Sequence, residues 1–179
     1  MKHSLTVAFV ALLAAWAQPE YAHAADESLA VYVQGMGGSQ SNNSGVSLGG
    51  FGVQAGLQVL FLEAYVSQTS FGADTSVTRA VAGTVFDVNF GPWELSLHLG
   101  VGAIAGSGDA LLGPGTSGDQ SGAVARVGLG LERDLGAFFA AGASLESETY
   151  SVKSASGDDR WSGGSSVFLS GHLKFELGI

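Results

Sequence analysis

The sequence predicts an all-β fold, an eight-stranded antiparallel up-and-down transmembrane β-barrel. Three observations predict it. Apolar and polar residues alternate with a period of two along about eight stretches, and long polar links alternate with tight turns between them. The last stretch reaches the end of the chain with one apolar and one charged face. Such a strand can border lipid on one side and a polar interior on the other.

The C-terminal stretch shows the alternation most clearly. One face is apolar and consists of Val167, Leu169, Leu173, Phe175, Leu177 and Ile179. The other face is polar and consists of Ser166, Ser170, His172, Lys174 and Glu176. Because side chains of an extended strand alternate between two faces, whereas those of a helix repeat every 3.6 residues, the pattern predicts a strand.

Eight strands follow from the same alternation. They are Leu29–Gly37, Val46–Val59, Leu62–Phe71, Thr78–Phe90, Glu94–Gly106, Gly122–Arg133, Ala137–Val152 and Ser165–Ile179. Each has at least about the nine to eleven residues that a tilted strand needs to cross a bilayer. The long polar links follow the first, third, fifth and seventh strands, which predicts both chain ends at the short-turn end of the barrel.

Two turns predict the register of the strands. The segment 133–137 fits a three-residue hairpin with Gly136 in the left-handed conformation, and 91–94 fits a two-residue turn. The predicted pairs are Leu131 with Phe139, Ala125 with Leu145, Arg126 with Ser144, Phe90 with Leu95, and Asp87 with His98. The turn near 59–61 contains no residue typical of turns.

The first 24 residues have the features of a secretory signal peptide. A basic start precedes the apolar stretch Leu5–Ala17, and Ala22-His-Ala24 provides a cleavage site of small residues. The apolar stretch is too short to span a bilayer as a helix. We therefore expect residues 1–24 to be removed and residues 25–179 to form one barrel domain.

Composition excludes several functions. The chain has 7 basic and 16 acidic residues and a net charge of −9, which disfavours nucleic-acid binding because phosphate contacts need clustered Lys and Arg. It has no cysteine, which excludes disulfides and thiolate sites. A hydrophobic content of 46% with 13% charged residues suits a lipid-exposed exterior. Two alternatives are a glycine-rich soluble β-sandwich and a soluble ligand-binding barrel with its apolar face inward.

Ionisable residues are predicted to line the interior. They are Glu63, Arg79, Asp87, His98, Arg126, Glu132, Glu146, Glu148, His172, Lys174 and Glu176. The interior of an eight-stranded barrel is just wide enough for side chains to fill, and isolated buried charges are costly. We therefore expect a charge network that plugs the barrel. Passage of ions along the excess carboxylates is an alternative.

No catalytic, cofactor or metal site is predicted. Ser170, His172 and Glu146 contain the groups of a hydrolytic relay, and a lipid-modifying hydrolase is therefore an alternative function. The spacing Gly45–Gly49 matches a nucleophile elbow but lacks the following helix. The histidines lie on separate strands without a cluster of ligands, and we interpret the Asp158-Asp159 pair as a solvated acidic loop.

Aromatic residues are expected at both ends of the strands. Trp93 and Phe138 lie near short turns together with Arg133, whereas Tyr150 and Trp161 lie toward the long links. Aromatic side chains at the two membrane interfaces form belts in membrane proteins. We therefore expect two thin belts.

The stretches 97–102 and 127–136 and the alternating C-terminus resemble the small outer-membrane β-barrel families. These are the outer-membrane protein X and opacity-protein group and the membrane domain of outer-membrane protein A. The resemblance implies a location in the Gram-negative outer membrane, in contact with lipid and lipopolysaccharide. It implies loops that act in adhesion, surface interaction or envelope integrity, generally without enzymatic activity.

The C-terminal strand is similar to the signal recognised by the barrel-assembly machinery, with Ile179 where these families usually have phenylalanine. The lipid A deacylase barrel carries a His-x-Ser pair. Here Ser170 precedes His172, in the reverse order and on the last strand, and strand seven carries no histidine. The catalytic residues of that enzyme are therefore not carried over.

Overall fold

The computed structural model describes residues 28–43, 45–72, 75–107, 111, 118–154 and 161–178. The predicted signal peptide and Asp158-Asp159 lie outside these ranges. The strands are β1 (Ser28–Asn42), β2 (Ser47–Val59), β3 (Leu62–Ser70), β4 (Ser76–Phe90), β5 (Trp93–Gly106), β6 (Gln120–Asp134), β7 (Phe139–Ser154) and β8 (Ser162–Gly178). Consecutive strands pair antiparallel, and β1 pairs with β8. The predicted closed eight-stranded barrel is confirmed, and the β-sandwich alternative is wrong.

Strand β1 is longer than predicted. The glycine- and serine-rich segment after Gly37 was expected to form a loop, but β1 continues to Asn42 and pairs with both β2 and β8. A Cβ atom on Gly38 would lie 2.1 Å from the carbonyl oxygen of Val167. Glycine is therefore required for close approach of the two strands, rather than for a turn.

The predicted register of β6 and β7 is wrong. Leu131 lies opposite Ala143, and Arg126 opposite Glu148. By the same register, Ala125 lies opposite Thr149 rather than Leu145. The loop has the predicted three residues but lies two positions later, because the amide of Leu135 donates to the Phe139 carbonyl at 2.8 Å. Gly136, with φ of 155°, therefore begins the loop instead of ending it.

The predicted register of β4 and β5 is also wrong. Phe90 pairs with Trp93, and Asp87 lies opposite Ser96 rather than His98. Gly91 and Pro92 form the loop, and Gly91 has a φ of 67°. Glycine adopts this conformation without a steric penalty, and proline fixes the next φ at a negative value. Both register errors shift the pairing by an even number of residues, so the predicted faces of these strands are unchanged.

The turn between β2 and β3 consists of Leu60 and Phe61, since Val59 pairs with Leu62. Leu60 has a φ of 55° and is the only non-glycine residue with a positive φ in the described part of the chain. The left-handed conformation costs a residue with a Cβ atom about 1–2 kcal/mol. The turn therefore forms without turn-favouring residues, at the expense of local strain.

Replacing Leu60 with asparagine should stabilise the barrel. Asparagine tolerates positive φ better than leucine, so we expect the free energy of unfolding to rise by up to about 1 kcal/mol. Urea-induced unfolding in lipid vesicles would measure the change. Phe61→Asn is the matched control because Phe61 has no positive φ, and an equal gain in both variants would contradict strain at Leu60.

The outer surface of the barrel is apolar. Large outward side chains remain exposed, among them Phe51 at 82% and Leu169 at 65%. Polar residues such as Gln54, Arg79 and Glu146 point inward and are buried. This distribution is the reverse of a soluble ligand-binding barrel, and that alternative is wrong.

Within the described ranges, no helix combines the length and the apolar content needed to cross a bilayer.

The interior is apolar toward the long links. Buried side chains from several strands form this cluster, including Met36, Val77, Ile104 and Phe168. Leu111, from the link between β5 and β6, is fully buried in the same cluster. The sequence pattern did not predict this apolar cluster. The Arg79–Glu148 ion pair lies beside this cluster, and the other ionic groups lie from the middle of the barrel to the short-turn end.

Candidate functional site

Arg126 is the centre of the ionic interior. Its Nη2 atom lies 2.9 Å from Glu146 Oε1, and its Nη1 atom lies 3.7 Å from Glu63 Oε1. The guanidinium carbon also lies 4.5 Å from the centroid of the Tyr65 ring. Strands β3, β6 and β7 are thereby connected across the lumen. Because these charged side chains are almost fully buried, their pairing compensates for the loss of hydration.

A second ion pair joins β4 to β7 across the lumen. Arg79 Nε lies 2.7 Å from Glu148 Oε2. Arg79 also donates to Thr69 Oγ1 and to Gln40 Oε1, each at 3.0 Å. The Ser166 hydroxyl donates to Glu148 at 2.8 Å. A buried arginine thus has partners on several strands and fills the barrel beside the apolar cluster.

Lys174 organises the ionic groups at the short-turn end. Its Nζ atom lies 2.6 Å from Glu132, 3.1 Å from Glu176 and 3.3 Å from Glu94. His172 Nε2 lies 3.2 Å from Glu132 Oε1. One lysine therefore neutralises part of the negative charge of several carboxylates at this end. Glu94 is one of these carboxylates, although it was not predicted to belong to the charge network.

His98 was predicted to pair with Asp87, but its ring nitrogens contact other residues. His98 Nδ1 lies 2.9 Å from Glu63 Oε2, and His98 Nε2 lies 2.9 Å from the Ser96 hydroxyl. Asp87 is exposed and accepts a hydrogen bond from Gln58 Nε2 at 3.3 Å. The corrected register explains the difference, because Asp87 lies opposite Ser96.

The proposed relay of Ser170, His172 and Glu146 is not assembled. The Ser170 hydroxyl lies 2.6 Å from the Ser144 hydroxyl and 2.5 Å from Gln34 Nε2. His172 instead lies against Glu132, and Glu146 lies against Arg126. Nucleophilic activation requires a histidine within hydrogen-bonding distance of both the serine and the carboxylate. Ser170, His172 and Glu146 therefore belong to three separate sets of contacts and do not form a relay.

The interior leaves little space for ions. The cavity between Tyr32, His98, Glu132 and Lys174 has a volume of about 10 Å³. That is about the space of a single water molecule. Fully buried Arg79 and Phe168 lie toward the long-link side. The narrow ion-conductor alternative therefore has no support in the described interior.

Several uncharged interior residues were missed. The Tyr32 hydroxyl donates to Glu63, and Gln34 Nε2 donates to Glu146 at 2.5 Å. Ser144, which was predicted to face inward, donates to Glu146 at 3.1 Å. Tyr32 and Gln34 alternate with exposed valines on β1, and that pattern could have placed them inside. The predicted charge network did not include them because neither side chain is charged at neutral pH.

Two cation–tryptophan pairs mark the opposite ends of the outer surface. Arg133 lies over Trp93 at 5.5 Å near the short turns, and Lys153 lies over Trp161 at 5.4 Å near the long links. At the short-turn end, the Phe175 ring lies against the rings of both Phe138 and Phe139. Tyr150, expected in the belt at the long-link end, is instead buried inside. Its hydroxyl donates to the Ser41 carbonyl at 3.2 Å.

A closed barrel of eight antiparallel strands with an apolar exterior and an ionic interior is the fold of the small outer-membrane β-barrels. Among solved structures, Neisserial surface protein A is similar, with 16% sequence identity and a TM-score of 0.63. The match covers 82% of this chain and 96% of the Neisserial chain. At this identity the similarity shows the fold alone.

Two other solved structures have lower TM-scores. The N-terminal β-barrel domain of Pseudomonas aeruginosa OprF is 16% identical, with 83% and 97% of the two chains covered and a TM-score of 0.46. Ail, the attachment invasion locus protein of Yersinia pestis, is 18% identical, with 85% and 99% covered and a TM-score of 0.43. No family model matches the chain. No curated protein matches it either.

Proposed function

We propose that the protein is a non-catalytic barrel of the Gram-negative outer membrane that acts in envelope integrity or surface interaction. Its long links face the cell exterior, and its chain ends face the periplasm. One observation carries the proposal: large apolar side chains cover the outside, whereas ion pairs fill the inside. Apolar exposure on this scale is unfavourable in water and favourable in lipid.

The two cation–tryptophan pairs have a separation that suits a bilayer. Arg133 lies opposite Ala141 on β7, and Lys153 lies about twelve residues further along that strand. At about 3.3 Å per residue and a tilt of about 40°, this corresponds to a height of about 30 Å. The apolar band of transmembrane barrels is about 25 Å tall and is flanked by aromatic residues. The pairs therefore fit the two interfaces.

The proposal assigns roles to other parts of the chain. Residues 1–24 direct export and are removed. The C-terminal strand is recognised by the barrel-assembly machinery, and the outer surface contacts lipid and lipopolysaccharide. The interior ion pairs brace the barrel, since Arg79 with Glu148 and Arg126 with Glu63 connect strands that are not neighbours in the sheet. The long links provide the surface for an extracellular partner.

Membrane fractionation and heat-modifiable gel mobility test this proposal. We expect the protein in the outer-membrane fraction, migrating faster before boiling than after. Nitroxide labels at Leu129 and Leu173, two exposed outward positions, should be accessible to oxygen dissolved in lipid. Recovery in the periplasmic wash, or labels that report water, would contradict the proposal.

A deletion strain tests the cellular role. Increased sensitivity to bile salts that is reversed by the wild-type gene would support envelope integrity. Unchanged barrier function together with reduced attachment to host cells or surfaces would support surface interaction. A strain unchanged in both respects would contradict both roles.

A further inference from the structure

A groove crosses the outer surface of β4, β5 and β6 near the long links. Small outward side chains form its floor, among them Thr78, Ala80, Ala103, Ala105 and Ser121. Nearer the short turns, the same strands carry large outward residues such as Phe86, Leu99 and Leu129. This change in side-chain size produces a concavity of about 450 Å³, within the range of about 300–1,000 Å³ typical of small-ligand sites.

A cation and an aromatic ring bound the groove. Lys153 lies opposite Ser121 on the neighbouring strand, and its Nζ atom lies 5.4 Å from the centroid of the Trp161 ring. Trp161 is 60% exposed. The pair lies at the long-link end, where an interfacial headgroup would meet the barrel. The groove thus combines an apolar floor with a positive charge at its rim.

We propose that this groove binds one anionic, phosphate-bearing lipid of the outer leaflet, with an acyl chain along the alanine floor and the phosphate beside Lys153. This inference rests on the proposed outer-membrane location. Charge complementarity favours this occupant, because Lys153 places a cation beside the groove where the phosphate would lie. A basic side chain near a membrane surface attracts anionic lipid, and the small residues let the acyl chain pack closely against the backbone.

The two tryptophans of residues 25–179 provide the probe. In Trp93→Phe, the remaining fluorescence comes from Trp161 beside the groove. In Trp161→Phe, it comes from Trp93, which also contacts a cation but lies outside the groove. Each protein is placed in phosphatidylcholine vesicles that contain a minor fraction of brominated phosphatidylglycerol or, in parallel, brominated phosphatidylcholine. Bromine quenches tryptophan fluorescence on contact. The quenching by brominated phosphatidylglycerol, divided by the quenching by brominated phosphatidylcholine, therefore reports how strongly phosphatidylglycerol is enriched beside each tryptophan.

We expect brominated phosphatidylglycerol to be enriched beside Trp161 by about five-fold relative to brominated phosphatidylcholine. This is the effect of one basic residue on anionic lipid at a membrane surface. Lys153→Gln should remove this enrichment. Ala103→Leu with Ala105→Leu fills the groove but keeps Lys153, and should reduce the enrichment at Trp161 to the value at Trp93. Ala143→Leu, at another outward position, is the control for added bulk.

The outcomes separate this inference from the proposed location. Equal quenching of Trp161 by both brominated lipids would show an inserted barrel without lipid selectivity and would overturn the inference. Quenching of Trp93 alone would show that protein, such as a second copy of the chain, covers the groove, and would also overturn it. Absence of quenching at both tryptophans would contradict membrane insertion itself.

Discussion

Replacing Arg126 with alanine is expected to lower the free energy of unfolding by about 3–5 kcal/mol, because the change leaves Glu146 and Glu63 buried without this cation. Glu146 is fully buried, and its contact with Arg126 is 2.9 Å long. Its other contacts, from Gln34 and Ser144, are neutral hydrogen bonds. Urea-induced unfolding in lipid vesicles, followed by gel mobility without boiling, would measure the loss.

Two further variants separate charge pairing from side-chain packing. Arg133→Ala removes an outward arginine at the rim and should change stability little. Adding Glu146→Gln to Arg126→Ala should recover part of the loss, because it removes the uncompensated negative charge. A loss in Arg126→Ala no larger than in Arg133→Ala, or no recovery in the double variant, would contradict the bracing role proposed for the interior ion pairs.

The sequence predicted which face of each strand points inward but not which interior groups meet. The period of two placed Arg79, His98 and Glu146 inside correctly, since it depends only on local backbone geometry. The contacts themselves connect distant strands, as between Arg79 on β4 and Glu148 on β7. They depend on the stagger of all eight strands, which tight turns fix to within a few residues at best.

The errors at the turns have a common physical origin. Gly91 and Gly136 were each correctly assigned to a turn, and both have positive φ. Each occupies the first loop position, however, whereas the predictions placed the loop one residue later at Gly91 and two residues earlier at Gly136. Glycine can adopt a positive φ at any loop position, so its presence identifies a turn without fixing the register. The turn at Leu60 offers no such signal and depends on the pairing of β2 with β3.

The apolar half of the interior was missed for a different reason. Inward valines such as Val77 and Val81 follow the same alternation as the polar residues. A strand that is apolar on both faces at one end therefore has no clear period there. The buried cluster also includes Leu111, which lies in a link outside any strand. Such a contact depends on the path of the link and not on strand alternation.

Arginine at the middle of the outward face of β6 should destabilise the barrel strongly. Val127 lies midway along β6 between Ser121 and Arg133 and is 46% exposed. If the apolar exterior faces lipid, Val127→Arg places a charge near the centre of the bilayer and should cost about 2–4 kcal/mol. The free energy of unfolding in lipid vesicles measures this cost.

The same substitution near the interface provides the matched control. Leu135 directly follows β6, beyond Arg133, and is 62% exposed. Leu135→Arg should cost at most about 1 kcal/mol, because an interfacial charge keeps its contact with water. In a water-exposed barrel, both positions would tolerate arginine equally well, since neither side chain is buried by protein. Equal costs at the two positions would therefore exclude lipid as the medium around β6.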